Sequence, residues 1–185
     1  MAGGDRLVDA TVAMLRRVPT PVRQAIKSRM YPLTLREGQN APEFHLLGHD
    51  GSYHLLDEDW ALLVFYPGDD TPGCTSQLKE LEELREDFAG HGCRVFGINP
   101  AGAESHARFA EKIGLGFPLL VDRDGATAAQ YRATLPLKFG TPRVLRTVYL
   151  INPQRKIRLA NRGAPSLAAI LRSIQALKYA SRTGM

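Results

Sequence analysis

Hydrophobic residues along this chain change repeatedly between unbroken strand-length runs and the three-to-four-residue spacing of a helix. The run at 61–66 is continuously apolar, which is typical of a strand buried on both faces. The next segment, 75–88, predicts an amphipathic helix with an apolar side formed by Leu78, Leu81, Leu84 and Phe88. The same reasoning predicts a hairpin of strands at 43–47 and 52–55, strands at 93–99 and 118–121, a closing hairpin of 144–151 and 157–159, and helices at 103–113, 125–131 and 166–178.

This alternation predicts an α/β fold in which helices flank a central sheet. Because the last two strands form a hairpin, we expect the sheet to be mixed rather than wholly parallel. The first 30 residues have helical spacing of apolar side chains, interrupted at Pro19 and Pro21. We therefore predict an N-terminal helical extension at 1–35, followed by one compact domain at 36–185 that opens with a β-hairpin.

Charge is distributed unevenly over the 185 residues, whose net charge is +5. Residues 1–36 carry seven Lys and Arg against two acids, and residues 153–185 carry seven and no acid. Such basic ends attract nucleic acid or anionic lipid, or they lie against the acidic middle of the chain or in solvent. Since the chain has no recognisable nucleic-acid motif, we expect no specific nucleic acid, and membrane contact of the basic N-terminal arm remains open.

Two cysteines are too few for a disulfide framework, and Cys74 and Cys93 lack the spacing of metal ligands. No apolar run approaches the ~20 residues of a membrane-spanning helix, and no secretory signal is evident, so a cytoplasmic location is expected. The histidines have no paired spacing for a metal, and surface or turn roles are expected for all five. They are His45, His49, His54, His91 and His106. The adjacent acids Asp69 and Asp70 are interpreted as solvated loop charges.

The segment from Pro67 to Cys74 is the strongest candidate for chemistry. A buried strand leads into a loop rich in Pro, Gly and Asp, and Cys74 follows it at the start of a helix. A thiol there lies near unpaired backbone N–H groups and the positive end of the helix dipole, which favour the reactive thiolate. The Thr71 hydroxyl is close enough in sequence to bond to the sulfur. The alternative is that Cys74 is a small buried filler.

The residues Pro67, Thr71 and Cys74 match the active-site pattern of the peroxiredoxins, Pro followed by Thr four residues later and Cys three residues after that. The string FYPGDDTPGCT resembles the bacterioferritin comigratory protein (PrxQ) subgroup of this AhpC/TSA superfamily. Further likeness lies in APEFHLLGHDG, FPLLVDRDG and RTVYLIN, so that the resemblance extends over residues 36–178.

This resemblance implies a thioredoxin-like fold and reduction of hydrogen peroxide and organic hydroperoxides without a metal or other cofactor. It implies that Cys74 attacks the peroxide and becomes a sulfenic acid, while Thr71 bonds to sulfur and peroxide and Pro67 shields the site. The backbone N–H groups of Gly73 and Cys74 would help to bind the peroxide. Arg146, in the strand at 144–151, would bond near the thiolate.

The chain departs from the PrxQ pattern where many members carry a resolving cysteine, because Lys79 occupies that position. Gln77 likewise replaces an acidic residue that is common there. Cys93 follows the predicted helix, whose length of about 24 Å separates it from Cys74, so a disulfide within one chain is not expected. A bridge between two chains stays open.

We therefore expect a one-Cys enzyme that uses an external thiol such as thioredoxin, glutaredoxin or glutathione, as a monomer or homodimer. One alternative is a thioredoxin-like thiol–disulfide oxidoreductase, which the lack of Cys-x-x-Cys disfavours. Another is a non-catalytic redox sensor.

Overall fold

The computed structural model describes residues 34–135 and 142–183. The predicted extension at 1–35 lies outside these residues except for its last two positions. The strands are β1 His45–Leu47, β2 Tyr53–Leu55, β3 Trp60–Phe65, β4 Cys93–Asn99, β5 Leu119–Val121, β6 Thr134–Leu135, β7 Arg143–Val144, β8 Thr147–Ile151 and β9 Ile157–Arg162. The helices are α1 Pro72–Glu83, α2 Arg85–Gly90, α3 Ala103–Ile113, α4 Ala126–Gln130 and α5 Leu167–Thr183.

The central sheet has the strand order β5-β4-β3-β8-β9 within the described residues. Strand β3 runs parallel to β4 and antiparallel to β8, while β5 is parallel to β4 and β9 antiparallel to β8. This is the mixed sheet that the hydrophobic pattern predicts. The predicted hairpin of β1 and β2 is also confirmed, with His45 opposite Leu55.

The central position of strand β3 explains why its sequence is apolar throughout. Leu62 and Val64 pack in one hydrophobic cluster, with helices α1 and α5, whereas Leu63 and Phe65 pack in a second cluster on the other face. Since side chains alternate across a strand, a central strand between two clusters needs apolar residues at every position. This buried strand fixes the point from which the loop at 67–71 departs.

Two predicted elements are broken in the structure. The helix predicted at 75–88 starts earlier, at Pro72, and is divided at Leu84, whose backbone leaves the helical region and whose N–H bonds to Leu81 O. The strand predicted at 144–151 is divided at Leu145 and Arg146, because β7 pairs with β6 whereas β8 pairs with β3. Apolar spacing did not reveal either break.

None of the helices in the described part of the chain is long and apolar enough to cross a membrane.

Candidate active site

Helix α1 carries Cys74 in its first turn. Thr71 is the N-cap residue, Pro72 occupies the first helical position, and the fixed φ of proline suits that position. The carbonyl of Thr71 accepts bonds from the N–H groups of Cys74 (3.0 Å) and Thr75 (2.9 Å). The position of Cys74 therefore depends directly on the loop that ends at Thr71.

The guanidinium of Arg146 holds the other side of this turn. Its Nη2 donates to Cys74 Sγ at 3.2 Å, and its Nη1 donates to Gly73 O at 2.7 Å and Gln77 Oε1 at 2.9 Å. The prediction that Arg146 lies within a strand is wrong, because Arg146 lies in the link between β7 and β8. A cation within hydrogen-bonding distance of sulfur stabilises a thiolate over a thiol.

Gly73 leaves room for this contact. A Cβ atom at position 73 would lie 3.2 Å from Arg146 Nη2, closer than most side chains approach one another. The absence of a side chain at Gly73 thus lets the guanidinium lie against the first turn of α1.

Two hydrogen-bonding groups of the predicted site, the Thr71 hydroxyl and the Cys74 N–H, have partners that the sequence did not suggest. The Thr71 hydroxyl donates to the carbonyl of Gly68 at 3.3 Å, a bond within the loop. The Cys74 N–H bonds to Thr71 O, which competes with its predicted contact with peroxide. Pro67 is exposed and, with Arg123 and Arg143, lines a surface cavity of about 420 Å³. The catalytic roles of Thr71, Pro67 and the Gly73 N–H stay predictions.

Cys74 and Cys93 are both free thiols; Cys74 lies in the first turn of α1, and Cys93 begins β4. Cys93 pairs with Trp60 at the start of β3, whereas Cys74 follows the end of that strand. The six residues of β3 at about 3.3 Å each separate these ends by roughly 17 Å, and a disulfide needs Cα atoms within about 7 Å. Burial raises the pKa of Cys93 to about 12. Lys79, at the position where a resolving cysteine is common, is exposed on α1.

Sequence reasoning missed a buried polar group below the loop, which we call the Asp69 cluster. The side chain of Asp69 is only 6% exposed and accepts hydrogen bonds from four others. Its donors are Tyr66 Oη (2.8 Å), Asn99 Nδ2 (2.9 Å), Ser105 Oγ (2.8 Å) and His106 Nδ1 (3.0 Å). The predictions of a solvated Asp69 and a surface His106 are therefore wrong.

Burial by itself would raise the pKa of Asp69, but the bonds from His106, Ser105 and Asn99 outweigh it and lower the pKa to about 2. The carboxylate is therefore ionised at neutral pH. Asn99, Ser105 and His106 come from 30 to 37 residues further along the chain. The parallel pairing of β3 with β4 brings them to Asp69, and the spacing of residues in the sequence gave no signal of this. His54 is also buried rather than on the surface, beside Asp50.

Comparison with known proteins agrees with this fold. Residues 38–160 match the AhpC/TSA family. Peroxiredoxin Bcp of Bacillus subtilis is 30% identical over 151 residues, which cover 75% of this chain and 96% of that protein. The crystal structure of peroxidoxin BcpB from Mycobacterium tuberculosis superposes with a TM-score of 0.72 at 27% identity, over 77% of this chain and 97% of that one.

A yeast mitochondrial 1-Cys peroxiredoxin, solved in a study of thiol resolution via glutathione/thioredoxin systems, superposes with a TM-score of 0.72 at 25% identity. The superposition covers 81% of this chain and 79% of that one. The family match contains both the loop of Cys74 and the link that carries Arg146. The chain therefore belongs to the AhpC/TSA family and is a peroxiredoxin with the thioredoxin-like fold.

Proposed function

We propose that Cys74 is the peroxidatic residue of this peroxiredoxin and that it completes each cycle with an external thiol. The observation that carries the proposal is the contact of 3.2 Å between Arg146 Nη2 and Cys74 Sγ in the first turn of α1. A buried sulfur with a cationic donor beside it, at the N-terminal end of a helix, has the surroundings that favour a nucleophilic thiolate.

In the first step the Cys74 thiolate attacks the terminal oxygen of a hydroperoxide. A sulfur–oxygen bond forms, the oxygen–oxygen bond breaks, and sulfur supplies the two electrons. The alkoxide or hydroxide that leaves takes a proton from solvent, and Cys74 becomes a sulfenic acid. Arg146 stabilises the negative charge as it passes from sulfur to oxygen, and Pro67 and Thr71 border the peroxide.

In the second step an external thiol condenses with the sulfenic acid, which releases water and leaves a mixed disulfide. A second thiol then attacks that disulfide, regenerates Cys74 and carries away the oxidised reductant. The separation of Cys93 from Cys74 and the exposed Lys79 support this one-Cys route. We infer that the enzyme removes peroxides in the cytoplasm, since two free thiols suit a reducing compartment.

Stopped-flow mixing with stoichiometric hydrogen peroxide tests the proposal. We expect oxidation several orders of magnitude faster than that of a free thiol, abolished in Cys74→Ser and retained in Cys93→Ser. Cys93→Ser is the matched control, because it removes the other thiol at the far end of β3. Oxidation of the native chain at the rate of a free thiol would contradict the proposed peroxidase activity. A non-catalytic redox sensor would then be the better interpretation of this protein. Turnover with thioredoxin and its reductase, compared with glutathione, identifies the reductant.

A further inference from the structure

A surface cavity lies beside Pro67, at the end of the sheet where α1, α3 and α4 begin. It is bordered by residues that come just after three parallel strands, Pro67 after β3, Pro100 after β4 and Arg123 after β5, together with Arg143 and Val144 of β7. In α/β sheets, ligands bind outside the carboxyl ends of parallel strands. The volume of about 420 Å³ is within the range of small-molecule sites. Both the place and the size of the cavity suit a small ligand.

The charges that line this cavity are positive. Its described lining residues include Arg123 and Arg143 and no acid. Both side chains are exposed, and neither guanidinium forms a hydrogen bond or an ion pair with another described residue. Asp122 and Asp124, on either side of Arg123, accept hydrogen bonds of 2.8 to 3.0 Å from backbone N–H groups at the start of α4. Their carboxylates are therefore held at that helix, and the two guanidiniums remain available to a ligand.

A cavity of similar size beside Cys93 has a different charge pattern. Its volume is about 460 Å³, and its lining contains two aspartates as well as Arg85 and Arg94. Both of these arginines form ion pairs with acids of the chain. Of these two cavities, only the one beside Pro67 presents guanidiniums without acidic partners, so it is the one that suits an anion.

The lining also indicates which kind of anion fits. The planar fork of a guanidinium bonds a carboxylate through two parallel N–H groups. Pro67, Pro100 and Val144 provide apolar surface beside the two arginines, which suits an organic body that carries carboxylates. Hydrogen peroxide is uncharged, so guanidiniums would not select it. The other reactant of the proposed cycle is the external thiol.

The distance to the reacting sulfur limits the size of that thiol. Arg143 is three residues before Arg146, whose guanidinium donates to Cys74 Sγ at 3.2 Å. Three extended residues span at most about 11 Å, which is also the reach of a tripeptide. A whole protein such as thioredoxin could not enter a cavity of about 420 Å³. These dimensions favour a small thiol whose carboxylates lie at the cavity.

We propose that Arg123 and Arg143 form a binding subsite for the carboxylates of a small anionic thiol, which reduces the sulfenic acid of Cys74. The proposal rests on the proposed function of Cys74 and names the chemical class of its reductant. The thiol sulfur bonds to the Cys74 sulfur as the sulfur–oxygen bond breaks, and the hydroxyl group leaves as water with the proton of the thiol. A second thiol molecule attacks this mixed disulfide, so that two thiols are oxidised to one disulfide and Cys74 is regenerated.

The test compares glutathione, a tripeptide with two carboxylates, with its diethyl ester, which has the same thiol and no carboxylate. Cys74 is first oxidised with stoichiometric hydrogen peroxide, and the second-order rate constant for reduction is then measured with each thiol. The readout is the ratio of the two rate constants, because a general disturbance of the site would lower both. We expect this ratio to fall about threefold in Arg123→Gln and in Arg143→Gln, and about tenfold in the double variant, as exposed ion pairs allow.

Arg158→Gln is the matched control. It removes another exposed arginine, in β9, and changes the net charge of the chain by the same amount. Its ratio should equal that of the native chain. An unchanged ratio in the double variant would overturn the proposal, and so would an equal fall in Arg158→Gln, which would indicate attraction by the overall charge.

The carboxylate could instead belong to the peroxide. A fatty-acid hydroperoxide and its methyl ester test this alternative in the oxidation step. An unchanged ratio of their rate constants in the double variant supports the assignment to the thiol. A fall of that ratio together with a native ratio for glutathione would assign the cavity to the peroxide and overturn the proposal.

Failure of the proposed function has a separate signature, slow oxidation of the native chain by hydrogen peroxide. The subsite is then tested with S-methylglutathione, which cannot react with Cys74. Saturation-transfer NMR that detects its binding to the native chain and not to the double variant supports the subsite. Equal signals from the two proteins, or none from either, contradict it.

Discussion

At the scale of single residues, Arg146 connects the reacting sulfur to the helix that carries it. Its guanidinium makes three hydrogen bonds, to Cys74 Sγ, Gly73 O and Gln77 Oε1, and the geometry of a planar fork allows all three together. Gln77 Nε2 is buried without a hydrogen-bond partner in the described part of the chain, so Gln77 is held through its oxygen. Because Gln77 is neutral, it orients the guanidinium without cancelling its charge.

Arg146→Lys keeps the positive charge but loses the fork. One ammonium group cannot contact the sulfur and both oxygens in the same geometry. We therefore expect the rate constant for peroxide oxidation to fall about ten- to a hundredfold. Removal of a whole transition-state donor would lower it more, by about 10²–10³. Stopped-flow oxidation measures it. Arg158→Lys, at an exposed position of β9, is the matched control and should be unaffected. A native rate in Arg146→Lys would show that charge alone suffices.

At the scale of elements, the first turn of α1 combines the nucleophile with its cap. The turn has no acidic residue, which would oppose a thiolate there, and its glycine admits Arg146. Helix stability and site geometry therefore make different demands on position 73, since alanine is the better helix former.

Gly73→Ala separates these demands. The added methyl group would lie 3.2 Å from Arg146 Nη2, so the guanidinium must shift. We therefore expect oxidation of Cys74 by peroxide to slow about tenfold or more, the factor that an increase of about 1.4 kcal/mol in the activation free energy would produce. The free energy of unfolding should stay equal or rise by up to about 1 kcal/mol, as the helix gains propensity. Gly90→Ala, in the open at the end of α2, should show the stability effect alone. Loss of stability together with activity would instead indicate a strained α1.

Elements with strong hydrophobic patterns could be predicted, and the breaks between them could not. The run at 61–66 and the spacing at 103–113 gave β3 and α3 to within a residue or two, because burial dictates both patterns. Arg146 is the only charged residue in the stretch at 144–151, so the hydrophobic pattern did not reveal the break between β7 and β8. Cys74 was predictable because its loop motif is local in sequence. His106 was not, since only tertiary pairing of β3 with β4 brings it to Asp69.

At the scale of the whole molecule, the Asp69 cluster links the site to acid stability. The pKa of Asp69 falls from an ordinary 3.8 to about 2 on folding. A carboxyl whose pKa is depressed by folding stabilises the protein above its unfolded pKa, and this stabilisation is lost as the pH falls through the folded value.

Asp69→Asn should therefore destabilise the fold by roughly 2 kcal/mol at neutral pH, and the difference from the native chain should shrink as pH falls below about 4. Urea unfolding at a series of pH values measures it. Asp70→Asn, which removes an exposed carboxylate, should destabilise the fold far less at neutral pH. A difference that persists unchanged to the lowest accessible pH would mean that Asp69 acts through packing rather than charge.

The buried Cys93 also has a practical consequence. Its thiol is enclosed at the start of β4, and its raised pKa keeps it protonated at neutral pH. On the function proposed above, Cys74 alone of the two cysteines should react with a small electrophile while the fold is intact. Uptake of one equivalent of a labelling reagent would then measure the reactive sites, and uptake of a second equivalent would measure the unfolded chains. The two together would give the folded fraction of a preparation.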